Sequence, residues 1–295
     1  IYVGITFIEI IALRIAGMET FDSICHAFTT MPTGGFSTKN ASIAHYDNPA
    51  IHYIIIIFMF VAGINFTLHF RAINGDLKAY YKDREFLVYF SIIVIVSTII
   101  LSTLTNQTNT FSDVALRESI FGTIAILTGT GYVLGDYELW PVFLQMILLT
   151  LMFIGGMGGS TTGGMKVIRV LLLVKYAATE TRHMLHSRAL LPVRIGRRYI
   201  KDDVVKNTLG FFLFFMSAFI ISTLLLTAMD LDLVSSIGAA ASAMGNIGPA
   251  LGAFGPTDSY ALMPGPGKWV LSFCMLLGRL EIFTVIVLFS KTFWK

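Results

Sequence analysis

Long apolar segments separated by polar connections make up most of the chain. Residues 51–70, 86–104, 141–174, 204–229 and 269–289 form apolar runs. Each run is close to or above the length of about 20 residues that crosses a bilayer core about 30 Å thick. The apolar run 1–15 starts abruptly and lacks the basic region of a signal peptide, so we expect it to be the remnant of a further span in a longer protein. The pattern predicts an all-α, multi-pass membrane protein.

The connections between these runs differ in charge. The basic residues of the connections 71–84 and 175–201 include Arg71, Lys78, Lys82, Arg84, Lys175, Arg182, Arg188, Arg194, Arg197, Arg198 and Lys201. Basic connections of membrane proteins face the cytoplasm, so we expect both on that side. The connections around 39–47, 136–138 and 258–268 carry little net positive charge and are predicted to lie outside.

Each outside connection is too apolar for a plain loop, because a short helix-forming stretch precedes glycine and threonine residues. We therefore predict short helices that dip back into the membrane. Their predicted N-caps are Thr20 or Asp22, Asp113, and Asp230 or Asp232.

The three dipping segments repeat one pattern when they are aligned on Gly35, Gly131 and Gly248. A serine stands twelve residues upstream and an isoleucine eleven residues upstream in every copy. These matched residues are Ser23, Ser119 and Ser236, then Ile24, Ile120 and Ile237. The predicted unit is a spanning helix, a short descending helix, a glycine turn and a second spanning helix, in three copies with the first cut short.

Glycine turns at membrane depth have a direct use in ion binding. Irregular backbone is tolerated there only where protein or trapped water satisfies its polar groups. Glycine adopts positive φ without steric cost, and rings of carbonyls that replace a hydration shell are how potassium filters work. The alternative, ordinary turns between helices, is weakened by the matched residues upstream of all three glycines.

Composition supports the bilayer as the solvent of the chain. Of 295 residues, 55% are hydrophobic and 13% are charged, which leaves more apolar surface than one soluble core would hide. Cys25 and Cys274 stand far apart without a metal-binding spacing, so we interpret both as packing residues. No His-x-x-Glu-His or Gly-x-Ser-x-Gly pattern supports an intramembrane enzyme, and we expect no nucleic-acid partner.

A glycine-rich loop, residues 155–164, interrupts the long apolar run 141–174. Glycine costs about 1 kcal/mol relative to alanine inside a helix, so this stretch is predicted to unwind. It is not a phosphate-binding loop, because Met165 follows Gly164 and Lys166 comes one place late. Such a break could change shape and line a wet cavity, or it could be a packing loop that never moves.

The chain resembles the Trk/Ktr/HKT superfamily of potassium transporters, and most closely the TrkH-type subunits of bacterial Trk systems. The resemblance rests on Thr33-Gly34-Gly35-Phe36-Ser37-Thr38, on Thr128-Gly129-Thr130-Gly131-Tyr132 and on Gly245-Asn246-Ile247-Gly248-Pro249. It implies four units in pseudo-fourfold arrangement around one pore, of which the first is missing here. Residues 1–84 would be the second unit with a truncated first helix, 85–203 the third with the glycine-rich loop and a basic cytoplasmic connection, and 204–295 the fourth.

The resemblance also implies roles for single residues. The implied potassium filter consists of Thr33, Gly34, Gly35, Thr128, Gly129, Thr130, Gly131, Asn246, Ile247 and Gly248. The implied gate consists of Gly155, Gly156, Gly158, Gly159, Ser160, Thr161, Thr162, Gly163, Gly164 and Lys166. Arg279 would stand on the cytoplasmic side of the pore as a barrier to cations, unless it snorkels or pairs with Glu281.

The function implied by the resemblance is potassium uptake across the bacterial inner membrane through a channel-like pore, with potassium as the transported ion and no organic cofactor in this chain. The alternative is a cation symporter that couples potassium to protons or sodium. The implied partners are a second copy, forming a homodimer, and a cytoplasmic nucleotide-binding regulatory subunit of the TrkA type. The basic connection 175–201 could contact that subunit or anionic lipid.

Overall fold

The chain folds almost entirely into helices in a computed structural model that describes residues 1–108, 112–185, 192–196, 198–288 and 291–294. The α-helices are α1 (Tyr2–Ile15), α2 (Thr20–Thr30), α3 (Pro49–Ala62), α4 (Phe66–Ile73), α5 (Lys78–Lys82), α6 (Arg84–Thr108), α7 (Asp113–Thr128), α8 (Val142–Ile154), α9 (Val167–Leu185), α10 (Asp202–Thr227), α11 (Leu233–Gly245), α12 (Gly265–Arg279) and α13 (Ile282–Leu288). Two short antiparallel strands, β1 (Arg194–Ile195) and β2 (Arg198–Tyr199), form a hairpin after α9. Single 3₁₀ turns lie at Ser42–His45, Tyr137–Leu139, Gly252–Phe254, Tyr260–Leu262 and Lys291–Trp294. The predicted all-α class is confirmed.

One helical unit occurs three times in this order. The triplets α1–α2–α3, α6–α7–α8 and α10–α11–α12 each contain a helix, a short helix and a second helix, with an irregular turn after the short one. The short helix α7 packs on α6 and α8 of its own triplet and also on α3 of the preceding one. In the same way α11 packs on α10, α12 and the preceding α8. The triplets therefore follow one another with the same sense of packing.

The last helix of every triplet is followed by a break and a further helix. The sequence predicted such a break only for the middle triplet. In the described part of the chain, α6 and α10 are the two unbroken helices long and apolar enough to cross a membrane. Helices α3 and α4 bend by 101° at their junction, so residues 51–70 form a bent pair of helices rather than one continuous helix. The Asn65 side chain accepts the Thr67 amide and starts α4 as a new helix.

The span predicted for 269–289 is also broken. Helix α12 ends at Arg279 and α13 begins at Ile282, with Glu281 at φ +61° between them. A left-handed residue cannot continue a right-handed helix. Phe289, at the end of the predicted span, lies outside the described residues, as do Arg188 and Arg197 of the basic connection.

Apolar side chains divide between a buried core and an exposed belt. Residues such as Leu127, Leu148, Phe215 and Met244 are fully buried between the triplets. Outward-facing apolar side chains on the two long helices include Phe90, Val94, Ile95, Leu213, Ile220, Ile221 and Leu224. Large exposed apolar surface of this kind suits contact with lipid rather than water.

Candidate ion-binding turns and the glycine-rich loop beneath them

The three turns after the short helices share one backbone conformation. We name them the Gly35 turn (33–35), the Gly131 turn (129–131) and the Gly248 turn (246–248). In each turn the first and third residues are left-handed and the middle residue is not. The φ values are +54° and +66° in the Gly35 turn, +69° and +70° in the Gly131 turn, and +55° and +108° in the Gly248 turn.

Two of these left-handed positions are occupied by residues other than glycine. Asn246 is a residue type that tolerates this conformation, whereas Thr33 is β-branched and strained in it. Strain at such a position persists only where the surrounding structure enforces it.

The amide groups of the turns are bonded back to their own short helices. The first amide of each turn donates to the carbonyl three residues upstream, from Thr33 to Thr30, Gly129 to Ile126 and Asn246 to Ala243, at 2.9–3.1 Å. The amides of Gly35 and Gly131 donate to the carbonyls of Thr29 and Ala125, both at 3.1 Å. The Gly248 amide instead donates to the hydroxyl of Ser242, also at 3.1 Å. Every turn is therefore fixed by local bonds.

Most carbonyl oxygens of the turns accept no hydrogen bond from the described residues; the exception is Gly248, whose carbonyl accepts the Tyr260 hydroxyl at 2.9 Å. In the described part of the chain, no hydrogen bond reaches the carbonyl oxygens of Gly34, Gly35, Gly129, Thr130, Gly131, Asn246 or Ile247. Several of these residues are buried, and Thr130 is wholly inaccessible. Buried carbonyls are normally paired, so a group of unpaired ones requires water or a cation.

The turns stand next to one another in chain order. A methyl group on Gly35 would lie 1.7 Å from the Thr130 carbonyl oxygen, and one on Gly131 would lie 1.7 Å from the Ile247 carbonyl oxygen. Each glycine thus faces the residue just before the next glycine. A methyl group on Gly248 would meet nothing within 4 Å. The same relation therefore repeats twice and ends in open space beside Gly248.

The short helices begin differently from one another. Asp232 is the N-cap of α11, as the sequence allowed, and accepts the Ser235 amide at 3.0 Å. Hydrogen bonds from Ser235 lower the pKa of this carboxyl. The N-cap predictions for the other two helices are wrong, because α2 begins after Glu19 and α7 begins after Ser112, which accepts the Ala115 amide. Asp113 instead pairs with Arg117 at 2.8 Å.

A polar network that sequence reasoning missed supports the Gly35 turn. The Asp22 carboxylate accepts the hydroxyls of Thr38 at 2.7 Å and Tyr46 at 2.8 Å, and it pairs with Lys39 at 3.2 Å. It therefore ties the chain after the turn to the first part of α2. No local pattern marks this contact, since it depends on a chain reversal through the turn.

Tyr132 joins two neighbouring turns from behind. It follows Gly131 in sequence, yet its hydroxyl lies 2.6 Å from the Thr29 hydroxyl and donates to the His26 carbonyl at 3.1 Å. The His26 ring in turn lies within hydrogen-bond distance of Ser37, 2.9 Å away. The Gly35 and Gly131 turns are thus linked by buried side chains.

The glycine-rich loop lies directly against the turns. The Thr33 hydroxyl donates to the Thr161 carbonyl at 3.1 Å, and the Thr161 hydroxyl donates to the Met31 carbonyl at 2.8 Å. A methyl group on Gly163 would lie 2.5 Å from the Gly245 carbonyl oxygen. The predicted break in the run 141–174 is therefore present, with α8 ending at Ile154 and α9 starting at Val167.

Within the glycine-rich loop, hydroxyl groups replace helical hydrogen bonds. The Thr162 hydroxyl accepts the Gly156 amide at 3.1 Å and lies 2.8 Å from the Ser160 hydroxyl. Lys166, which follows the loop, donates to the carbonyl oxygen of Thr162 and, at 3.0 Å, to its hydroxyl. Left-handed residues occur at Gly155, Gly159, Gly164 and Lys166. The left-handed conformation therefore accounts for three of the six glycines in the loop.

Elements far away in sequence bind residues 157–159 of the glycine-rich loop. The Met157 amide donates to the Gly63 carbonyl at 3.0 Å, and the Phe66 amide donates to the Gly159 carbonyl at 3.2 Å, so the loop pairs with the α3–α4 break. The Glu85 carboxylate accepts the Gly158 amide at 2.6 Å. Sequence reasoning missed Glu85, which sits at the end of a span beside basic residues and looks like an interfacial charge.

Arg279 contacts the residue that precedes the Gly35 turn rather than its near neighbour in sequence, Glu281. Its guanidinium donates to the Pro32 carbonyl at 2.7 Å. Glu281 pairs with Arg169 at 2.7 Å, so the described contacts do not include the alternative Arg279–Glu281 pair. A fixed positive charge is therefore present one residue before the turn.

Comparison with known proteins identifies relatives over the whole chain. Residues 1–295 match the family described as TrkH, cation transport protein. The Trk system potassium uptake protein TrkH of Salmonella typhimurium is 38% identical over 299 residues, which is 100% of this chain and 61% of the relative. The protein of the same name from Vibrio parahaemolyticus is 39% identical over 303 residues, again 100% of this chain and 61% of the relative. The chain spans about three fifths of the length of the curated relatives it matches.

A solved structure has the same fold. The crystal structure of the potassium transporter TrkH from Vibrio parahaemolyticus superposes with a TM-score of 0.92 at 36% sequence identity. The match covers 99% of this chain and 63% of that one.

Proposed function

The chain belongs to the TrkH family of cation transport proteins, and from that premise we propose that its three turns form a potassium-selective part of an uptake pathway in the bacterial inner membrane. The observation that carries the proposal is the set of unpaired carbonyl oxygens in the turns. Potassium filters replace the hydration shell of the ion with such oxygens. The relatives named above are potassium uptake proteins, which agrees with this ion.

Fixed amides and free carbonyls make the turns suited to a dehydrated cation. Because the amides of Gly35 and Gly131 are bonded to their short helices, the carbonyls need not rearrange when an ion arrives. The C-terminal ends of α2, α7 and α11 lead directly into the turns, so their partial negative charge favours a cation. We propose that a fourth turn of the same kind occupies the open space beside Gly248. The pore units would then be 1–84, 85–203 and 204–295 together with that further unit.

We propose that the glycine-rich loop is the gate of this pathway and that Arg279 forms a barrier beside it. The loop touches the Gly35 turn through Thr161, and Gly163 lies against the end of α11. An ion leaving the turns toward the cytoplasm would meet this loop first. The guanidinium on the Pro32 carbonyl adds a positive charge that a passing cation must approach.

The partners are also proposals. A second copy of the chain and a cytoplasmic nucleotide-binding subunit would complete the assembly, the latter reached through the basic connection that follows α9. In the described part of that connection, Lys175 and Arg182 lie on α9 itself. A partner bound there would act directly on the helix that follows the glycine-rich loop.

Rubidium uptake into liposomes that carry the protein containing this chain tests both proposals. Gly131→Asp and Gly248→Asp should abolish or alter the preference for rubidium and potassium over sodium. Gly4→Ala, whose added methyl group lies in open space on α1, should leave this preference unchanged. Shortening the glycine-rich loop should raise basal uptake without changing that preference. Unchanged selectivity in both aspartate variants would refute the filter. Unchanged uptake after loop shortening would refute the gate.

A further inference from the structure

We propose that Glu85 is the positioning residue that holds the glycine-rich loop closed and couples it to movement of α9, an inference that rests on the proposed gate. Glu85 lies in the first turn of α6, and only 8% of its surface is exposed. Glu85 is not among the residues predicted to form the filter or the gate. The carboxylate comes from an element outside the loop.

One oxygen of Glu85 serves two amides. Its Oε1 atom accepts the Gly158 amide at 2.6 Å and the Ile168 amide at 3.1 Å. Gly158 belongs to the glycine-rich loop, whereas Ile168 lies in the first turn of α9. A single atom thus joins the loop to the helix that follows it.

The contact with Ile168 also meets a general need of helix ends. The first amides of a helix have no partner inside the helix. Glu85 supplies an acceptor for one of them from a neighbouring helix. Because the same oxygen also holds Gly158, α9 cannot move away from α6 without disturbing the loop.

The same turn of α9 makes a second contact, through Arg169, which is more exposed than the contact with Glu85. Arg169 pairs with Glu281 at 2.7 Å, and its guanidinium stands 4.2 Å from the centre of the Phe211 ring. The Glu281 side chain is 49% exposed, so water screens this pair more than it screens the Glu85 contacts. The first turn of α9 is therefore anchored on two sides, with Glu85 as the buried anchor.

Movement of helix α9 would release the glycine-rich loop from Glu85. The helix runs from Val167 to Leu185 and carries Lys175 and Arg182 toward the basic connection. A force applied at that end would draw Ile168 from Glu85 and free the Gly158 amide in the same step. The geometry predicts that loss of the Glu85 acceptor opens the loop even without such a force.

The test compares Glu85→Ala and Glu85→Gln with Asp203→Asn. Asp203 is a matched control because it is also an acidic residue in the first turn of a long helix, but it is exposed and far from the loop in sequence. Rubidium uptake, the rubidium-to-sodium ratio and amide hydrogen exchange of residues 155–168 are measured for each variant. Hydrogen exchange reports release of the loop independently of transport.

We expect Glu85→Ala to raise basal uptake about tenfold, the change produced by about 1.4 kcal/mol. Exchange should speed up in 155–168 but not in α7, and the rubidium-to-sodium ratio should stay constant. Glu85→Gln keeps an oxygen acceptor and should give a smaller rise in basal uptake and in exchange of residues 155–168. Asp203→Asn should match the unmodified protein.

Two results would overturn the inference. Unchanged exchange in 155–168 of Glu85→Ala, with uptake still raised by loop shortening, would leave the gate intact but remove Glu85 from its control. Faster exchange throughout the protein with lower uptake and lost selectivity would show that Glu85 only stabilises the fold. If loop shortening also fails to raise uptake, the proposed gate fails first, and the role of Glu85 fails with it.

Discussion

The turns and the glycine-rich loop are both rich in glycine and in left-handed residues, yet they are held differently. Each turn is fixed by bonds to its own short helix, such as those from Gly35 to Thr29 and from Gly131 to Ala125. The loop has bonds of its own through Thr162, but it also depends on Glu85 and Gly63, which are acceptors far away in sequence. Local bonds persist when neighbouring helices shift, whereas distant bonds break.

In the proposed function, this difference would separate selection from gating. A turn that holds its shape could present carbonyls at constant spacing in both an open and a closed protein. A loop that depends on other helices would change when those helices move. The two regions touch through the hydrogen bond from Thr33 to Thr161.

The largest expected effect comes from Gly35→Ala. A methyl group there would lie 1.7 Å from the Thr130 carbonyl oxygen, and φ is +66°. Because that oxygen belongs to the neighbouring turn, two turns must shift together. We expect the preference for rubidium over sodium to fall about a hundredfold, as for a loss of about 2.7 kcal/mol. Flux ratios in liposomes measure it, and Gly4→Ala serves as the control.

Gly163→Ala makes the same chemical change in the glycine-rich loop and should alter the uptake rate instead of the selectivity. Its methyl group would lie 2.5 Å from the Gly245 carbonyl oxygen, so the loop must move away from α11. We expect basal uptake to rise about fivefold, as for about 1 kcal/mol, with selectivity retained. If selectivity collapsed as in Gly35→Ala, the loop and the turns would not be separable regions.

Arg279→Gln should have a moderate effect on rate alone. The change removes a positive charge and its bond to the Pro32 carbonyl but leaves the turns intact. We expect uptake to rise about threefold, the effect of less than about 1 kcal/mol of repulsion across a partly wet region. Arg14→Gln is the matched control, because Arg14 also donates to a backbone carbonyl, that of Met18, but lies on α1. Equal behaviour of the two variants would remove Arg279 from the pathway.

The smallest expected loss of selectivity is that of Ser242→Ala. The Gly248 amide would lose its hydroxyl acceptor, whereas the other two turns use backbone carbonyls at the equivalent place. A hydrogen bond of this kind contributes about 1 kcal/mol. The rubidium-to-sodium ratio should fall by less than about fivefold. Ser272→Ala, whose hydroxyl bonds only within α12, should not change it.

The repeated unit could be predicted from sequence because its signals are local. Apolar runs give the helices, and Gly35, Gly131 and Gly248 with their upstream serines give the register. The breaks in the outer two triplets were missed, because Asn65 and Glu281 look like single polar residues within apolar spans. Only the Asn65 cap and the left-handed Glu281 show that the helices end there.

The contacts that hold the candidate site could not be predicted in the same way. Asp22 has a sequence position that suits an N-cap, but Glu19 takes that place and leaves Asp22 to bind Thr38. Glu85 acts on Gly158, and nothing local to either residue indicates the other. Such pairs arise from the packing of triplets, which a single sequence does not specify.

Anomalous X-ray scattering from rubidium in crystals of the protein is the direct test of ion binding at the turns. We expect a rubidium peak within coordination distance of the Gly35 and Gly131 carbonyl oxygens, which should disappear in Gly35→Ala crystals. A protein that transports rubidium but shows its peaks only away from the three turns would contradict the proposed filter.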